Sequence, residues 1–164
     1  MMLQRLAQRC PLIIVLGLYS ACLLADSDPR TEGVQAALLT FLDQVDQRSA
    51  HQRFWSDELI YTSSSGERFG KATILSGFEP SEAAAPAATT QYSARDIVIR
   101  FEQDLALLTF TLLAETTDQT GTEGQFYLNS GVLINAASPD QPEHWQVVQW
   151  QATRVPDLPS VDDH

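Results

Sequence analysis

The sequence predicts an α+β domain in which a curved antiparallel sheet wraps over one long N-terminal helix, behind a signal segment. Three features of the chain predict it. Apolar residues recur first at helical spacing and then in four runs at strand spacing, so helices come before a strand meander. An apolar run with arginines before it and small residues after it precedes both. Turn-rich stretches separate the four strand runs at short intervals.

Residues 1–25 read as the signal peptide. Arg5 and Arg9 lie in a stretch without acids, residues 12–18 are apolar, and Ser20, Ala21 and Ala25 are small. The apolar run is shorter than the roughly 20 residues of a spanning helix, so no membrane span is expected after processing. Cleavage after Ala25 gives a periplasmic or secreted protein. Tyr19-Ser20-Ala21-Cys22 also has the form of a lipobox, which would make the protein a lipoprotein anchored at Cys22, although Tyr19 stands where Leu is usual. An uncleaved anchor is the third route.

The domain proper covers 26–155, with a disordered tail over 156–164. Val34, Leu38, Phe41, Leu42 and Val45 form the apolar stripe of a helix over 30–48, opposite Asp43 and Asp46, which read as a solvated face. A short helix follows over 50–55, then a turn at Ser56-Asp57 and a β-prone stretch over 59–62, which ends in the turn Ser63-Ser64-Ser65-Gly66. Residues 70–76 suit one or two helical turns, stopped by Gly77. The Ala- and Pro-rich stretch 79–90 has neither period and reads as a surface loop. Strands are expected over 94–101, 105–114, 125–135 and 144–154.

Charge and cysteine content narrow the function. The chain has 10 Lys+Arg against 21 Asp+Glu; without the two arginines of the signal peptide the balance is 8 against 21, or −13. Such a surface repels phosphate backbones, so no nucleic-acid partner is expected, and it serves solubility. Both cysteines, Cys10 and Cys22, lie in the signal peptide, so the mature domain has no disulfide, thiol nucleophile or thiolate metal site. No metal and no cofactor is expected.

After the long helix, Trp55-Ser56-Asp57-Glu58-Leu59-Ile60-Tyr61, Gly66 with Gly70-Lys71-Ala72-Thr73-Ile74-Leu75, and the closing His144-Trp145-Gln146-Val147-Val148-Gln149-Trp150-Gln151-Ala152-Thr153 resemble the SnoaL-like branch of the nuclear transport factor 2-like superfamily. The resemblance covers about residues 34–155. It implies a cone with a pocket at its open end and a homodimer through the sheet. Its members include ketosteroid isomerase, scytalone dehydratase, polyketide cyclases and proteins without catalysis, so the fold does not imply a reaction.

The residue types at the expected site speak against inherited acid–base chemistry. Where an isomerase of this fold keeps a carboxylate stands Thr62 or Tyr61, neither a base near neutral pH, and the interiors of the later strands are expected to show Thr109, Thr111, Tyr127 and Asn129. Many relatives place His where this chain has Gln149 and Gln151, which cannot shuttle a proton. Strand alternation puts Gln149 and Gln151 on one face with Trp145 and Val147. His51, His144 and His164 are scattered, and His51 reads as solvated surface. The hollow is therefore expected to lack proton-transfer groups, with no catalytic residue. Trp55, Tyr61, Thr62, Tyr127, Asn129 and Gln149 are the expected ligand-binding residues of a non-catalytic pocket for a small apolar or amphipathic molecule or a protein partner. A cyclase, dehydratase or isomerase and a pure interaction module of the cell envelope are the alternatives.

Overall fold

The computed structural model describes residues 28–78, 88–139 and 144–156. The signal peptide, most of the Ala- and Pro-rich stretch and the tail beyond Pro156 lie outside the described residues. The expected α+β class holds: among the described residues, three helices accompany one curved, unclosed sheet of six strands.

Helix α1 (Arg30–Asp43) starts where Asp28 Oδ1 accepts the Arg30 backbone N–H at 3.0 Å. It buries Val34, Leu38, Phe41 and Leu42, the stripe read from the sequence. It ends five residues sooner than expected. The chain turns at Gln44–Gln47, and α2 (Arg48–Phe54) returns so that the Phe54 ring lies flat on Phe41, with centroids 4.1 Å apart. No Pro or Gly forces this break; the aromatic stacking it allows favours two helices over one.

Strand β1 (Trp55–Thr62) follows α2 directly, so Ser56-Asp57 is strand rather than turn. It pairs in parallel with β6 (Trp145–Val155), which buries Trp55 against the last strand. A two-residue strand, β2 (Arg68–Phe69), and α3 (Lys71–Ser76) come next. Strands β3 (Thr89–Glu102), β4 (Leu105–Asp118) and β5 (Gly121–Asn135) are longer than the sequence suggests. The extension is a Thr-rich ladder: Thr90 pairs with Thr116 and Thr117 with Thr122 through hydroxyls, each at 2.9 Å. The β4–β5 turn closes through Gln119-Thr120, with Asp118 Oδ1 accepting from the Thr120 and Gly121 backbones.

The strand order is β2-β1-β6-β5-β4-β3, antiparallel throughout except for β1–β6. Two bulges bend it. In β3, two residues oppose Phe110 alone, and Asp96 takes φ 54°. In β6, Gln149 pairs with Val132 while Val147 pairs with the next residue, Leu133, so Val148 is extra. The inner face and α1 enclose the core, where Val34, Leu38, Ala106, Leu108, Leu133 and Val147 are sealed from water.

Candidate functional site

Along β4 the inner face changes character from Ala106 and Leu108 to Leu112, Ala114 and Thr116, and the core gives way to a cavity of about 460 Å³. Phe41, Leu42, Trp55 and Trp150 form its base. Tyr92, Tyr127 and Asn129 line the sheet side; Ser63, Ser64, Thr90 and Gln125 also border it. Among the described residues, no Asp, Glu, Lys or Arg lines it. A smaller cleft of about 280 Å³ lies between α1, α2 and the start of β6, and Phe41 borders both hollows.

The aromatic wall is locked by edge contacts. Trp55 meets Trp150 at 5.4 Å and 81° and Tyr61 at 5.8 Å and 85°, while Tyr61 stacks on Phe69 at 4.9 Å. Gly131 makes room for this wall, since a Cβ there would stand 2.9 Å from the Trp150 ring.

His51 overturns two expectations. It is 8% exposed rather than solvated, and it borders the cavity, so the hollow does contain a histidine. The cause is its place four residues before Trp55: the Trp55 indole N–H donates to His51 Nδ1 at 2.9 Å. An indole only donates, so Nδ1 is the accepting nitrogen, and Nε2 carries the proton and donates to the Val45 carbonyl at 2.7 Å. Burial holds the imidazole below its ordinary pKa, with the Val45 hydrogen bond pulling the other way. Both ring nitrogens are occupied, so this neutral histidine braces Trp55 and has no free lone pair for a substrate.

The tyrosines are not bases either. Burial raises the Tyr61 hydroxyl above its ordinary pKa against a hydrogen bond with Trp150, and burial also raises Tyr92. Both stay protonated near neutral pH, able to donate or accept a hydrogen bond.

The structure brings together Trp55, Tyr61, Tyr127 and Asn129 from the expected set. Thr62 pairs with Gln151 on the outer face, one residue beyond the inward Tyr61. Gln149 is exposed outside the cavity. The expected alternation along β6 fails at Val148: the extra residue flips the phase, so Trp145, Val147, Trp150 and Ala152 are all buried while Gln149 and Gln151 turn outward. Thr109 and Thr111 also belong to the outer face, opposite Ser130 and Leu128. Sequence reasoning missed His51, Phe69 and Tyr92; the four-residue His51–Trp55 spacing is the signal that could have found the first.

Among the described residues, Asn129 brings the cavity a buried polar atom without a partner. It is 4% exposed, its Nδ2 donates to the Tyr127 carbonyl at 3.4 Å, and its Oδ1 is buried without a partner. Among the described residues no group of three His, Cys, Asp or Glu side chains could hold a metal, and no helix is long and apolar enough to cross a membrane.

This helix-filled, open six-stranded sheet is shared with solved structures. An NTF2-like protein from Cytophaga hutchinsonii superposes with a TM-score of 0.55 at 17% identity, over 78% of this chain and 99% of its own. The chain has the NTF2-like fold. The CaMKII hub of S. rosetta gives a TM-score of 0.61 at 13% identity, over 76% of this chain and 95% of that one. The association domain of C. elegans CaMKII gives 0.59 at 14%, over 76% and 95%. No family model and no curated protein matches the sequence. At these identities the likeness to NTF2-like structures concerns architecture alone.

Proposed function

We propose that this is an exported NTF2-like domain of the SnoaL-like branch that binds a small uncharged, amphipathic molecule in its cone cavity without transforming it. The observation that carries the reading is the cavity itself: about 460 Å³, walled by Trp55, Trp150 and tyrosines, with no charged side chain among the described lining residues. That volume falls within the roughly 300–1,000 Å³ of small-molecule sites. The engaged nitrogens of His51 and the raised tyrosines support binding over proton transfer. Export rests on the composition of residues 1–25.

A second reading, self-association, is favoured by the outer face of the sheet. Ile60, Leu105, Leu107 and Leu128 are exposed there at 55%, 40%, 42% and 39%, on strands whose outward residues in β4 and β6 are mostly apolar or uncharged. A second copy suits this face, because a patch with few acids avoids the like-charge repulsion that the acidic remainder would impose. The similar CaMKII structures carry the words hub and association domain in their names, which supports the same reading.

The test is a titration of the processed protein, purified from its own cells, with Nile red, an uncharged dye. Saturable fluorescence at one dye per chain is expected, abolished by Ala114→Trp, which fills the cavity and leaves the outer face alone. Saturation that survives Ala114→Trp, or no saturation at all, removes the cavity reading. Native mass spectrometry of the same sample reads the oligomer.

A further inference from the structure

Asn129 gives the cavity a preference that its hydroxyls cannot, and the Gln125 amide oxygen at the same cavity already accepts from Arg154. A tyrosine or serine hydroxyl rotates and can donate or accept, so it tolerates either kind of ligand atom. An amide oxygen only accepts. Asn129 lies on the inner face between Phe110 and Ala152, its neighbours in register on β4 and β6, and Ala152 lines the cavity with it. The Tyr127 carbonyl sets the orientation of the amide: it takes the Nδ2 hydrogen, and the reverse orientation would put two oxygens against each other. Oδ1 is then left as the accepting end, shielded from water and without a donor. A buried acceptor in that state is costly, and native proteins seldom leave one unpaired.

We propose that Asn129 selects the ligand, and that the cavity takes an uncharged, ring-bearing alcohol or phenol whose hydroxyl donates to Asn129 Oδ1. This rests on the ligand-binding reading above and adds to it the chemical class. An ammonium group would also donate, but no carboxylate among the described residues lines the cavity to balance its charge. A carboxylate or a ketone brings no hydrogen to the oxygen. Flat rings suit the walls, where Trp55, Tyr61 and Trp150 meet at steep angles. Because Oδ1 is buried, an incoming ligand must shift a neighbouring side chain to reach it. Tyr127, half-buried two residues away on the same face, is placed to give way.

The experiment compares 2-naphthol with 2-methoxynaphthalene, which keeps the rings and the oxygen but lacks the hydrogen. Each is titrated into the processed protein, with tryptophan fluorescence as the readout, in wild type and in Asn129→Leu, whose fold is checked by circular dichroism. Wild type should bind 2-naphthol at least about ten-fold more tightly, the cost of one unmet buried bond. Asn129→Leu should bring the ratio close to one. Equal affinities in wild type, or a ratio unchanged by Asn129→Leu, overturn the role of Asn129 while leaving the cavity reading intact. Binding of neither probe overturns both. If Asn129→Leu does not fold, the Asn129 side-chain amide ¹⁵N signal in wild type decides: a shift with 2-naphthol but not with 2-methoxynaphthalene supports the assignment, and equal responses sink it.

Discussion

The two ends of the inner face are built from the same strands and serve opposite ends. At the packed end, Val34, Leu38, Ala106, Leu108, Leu133 and Val147 are aliphatic and sealed. At the cavity end, the positions further along β4 and β5 carry Leu112, Ala114, Tyr127 and Asn129, and the space between them stays open. The difference lies in shape and polarity. Small aliphatic side chains interdigitate and exclude space, whereas the rings of Trp55 and Trp150, locked edge to face and backed by Phe41, Phe54 and Phe110, hold a rigid wall beside open space. Both ends contribute to the core, but only the cavity end leaves space beside its packed rings.

That division makes measurable claims. Leu108→Ala at the packed end should cost about 2–5 kcal/mol in chemical denaturation, because the sealed site cannot collapse around the missing atoms. A loss much below that would mean the packed end is as loose as the cavity. Gly131→Ala, at the border between the ends, should cost about 1–3 kcal/mol, since the new Cβ meets a rigid indole rather than a flexible chain end. It should also move tryptophan fluorescence to a new maximum as Trp150 tilts; an unchanged spectrum would show that the backbone yields instead.

The subtlest effect is one of pH. His51 titrates below its ordinary value of 6.5 in the fold, so the unfolded chain takes up a proton first as pH falls. Its contribution to stability is complete above about pH 6.5 and declines beneath it, through the window down to the folded value. Wild type should lose stability between pH 7 and 5 more steeply than His51→Gln, measured by urea midpoints. Parallel curves would show that the histidine is not held neutral.

Much of the fold was legible in the sequence because its signals are local. The stripe Val34, Leu38, Phe41 and Leu42 specifies a helix with one buried side, and the strand runs after residue 94 announce a meander. What escaped depends on distant partners. The break after Asp43 exists because Phe54 returns to Phe41, and the early start of β1 exists because β6 is there to pair with it. At the site, Tyr61, Tyr127 and Asn129 lie on strands the sequence announces, whereas Trp55, expected to end a helix, opens β1. Thr62 faces outward because Tyr61 takes the inward place, Gln149 because of the extra Val148, and His51 is buried by hydrogen bonds to Trp55 and Val45 and by ring contacts with Phe41 and Phe78.

The extra residue in β6 has a wider consequence. Trp145 and Trp150 are an odd number of positions apart, yet both sink into the same interior, because Val148 acts as a one-residue gear change between two halves of a strand. The first half meshes with the helices and the second with the hollow. Insertion of a single amino acid is thus enough to let one ribbon of chain serve as a structural stave at one end and as the lining of a vessel at the other.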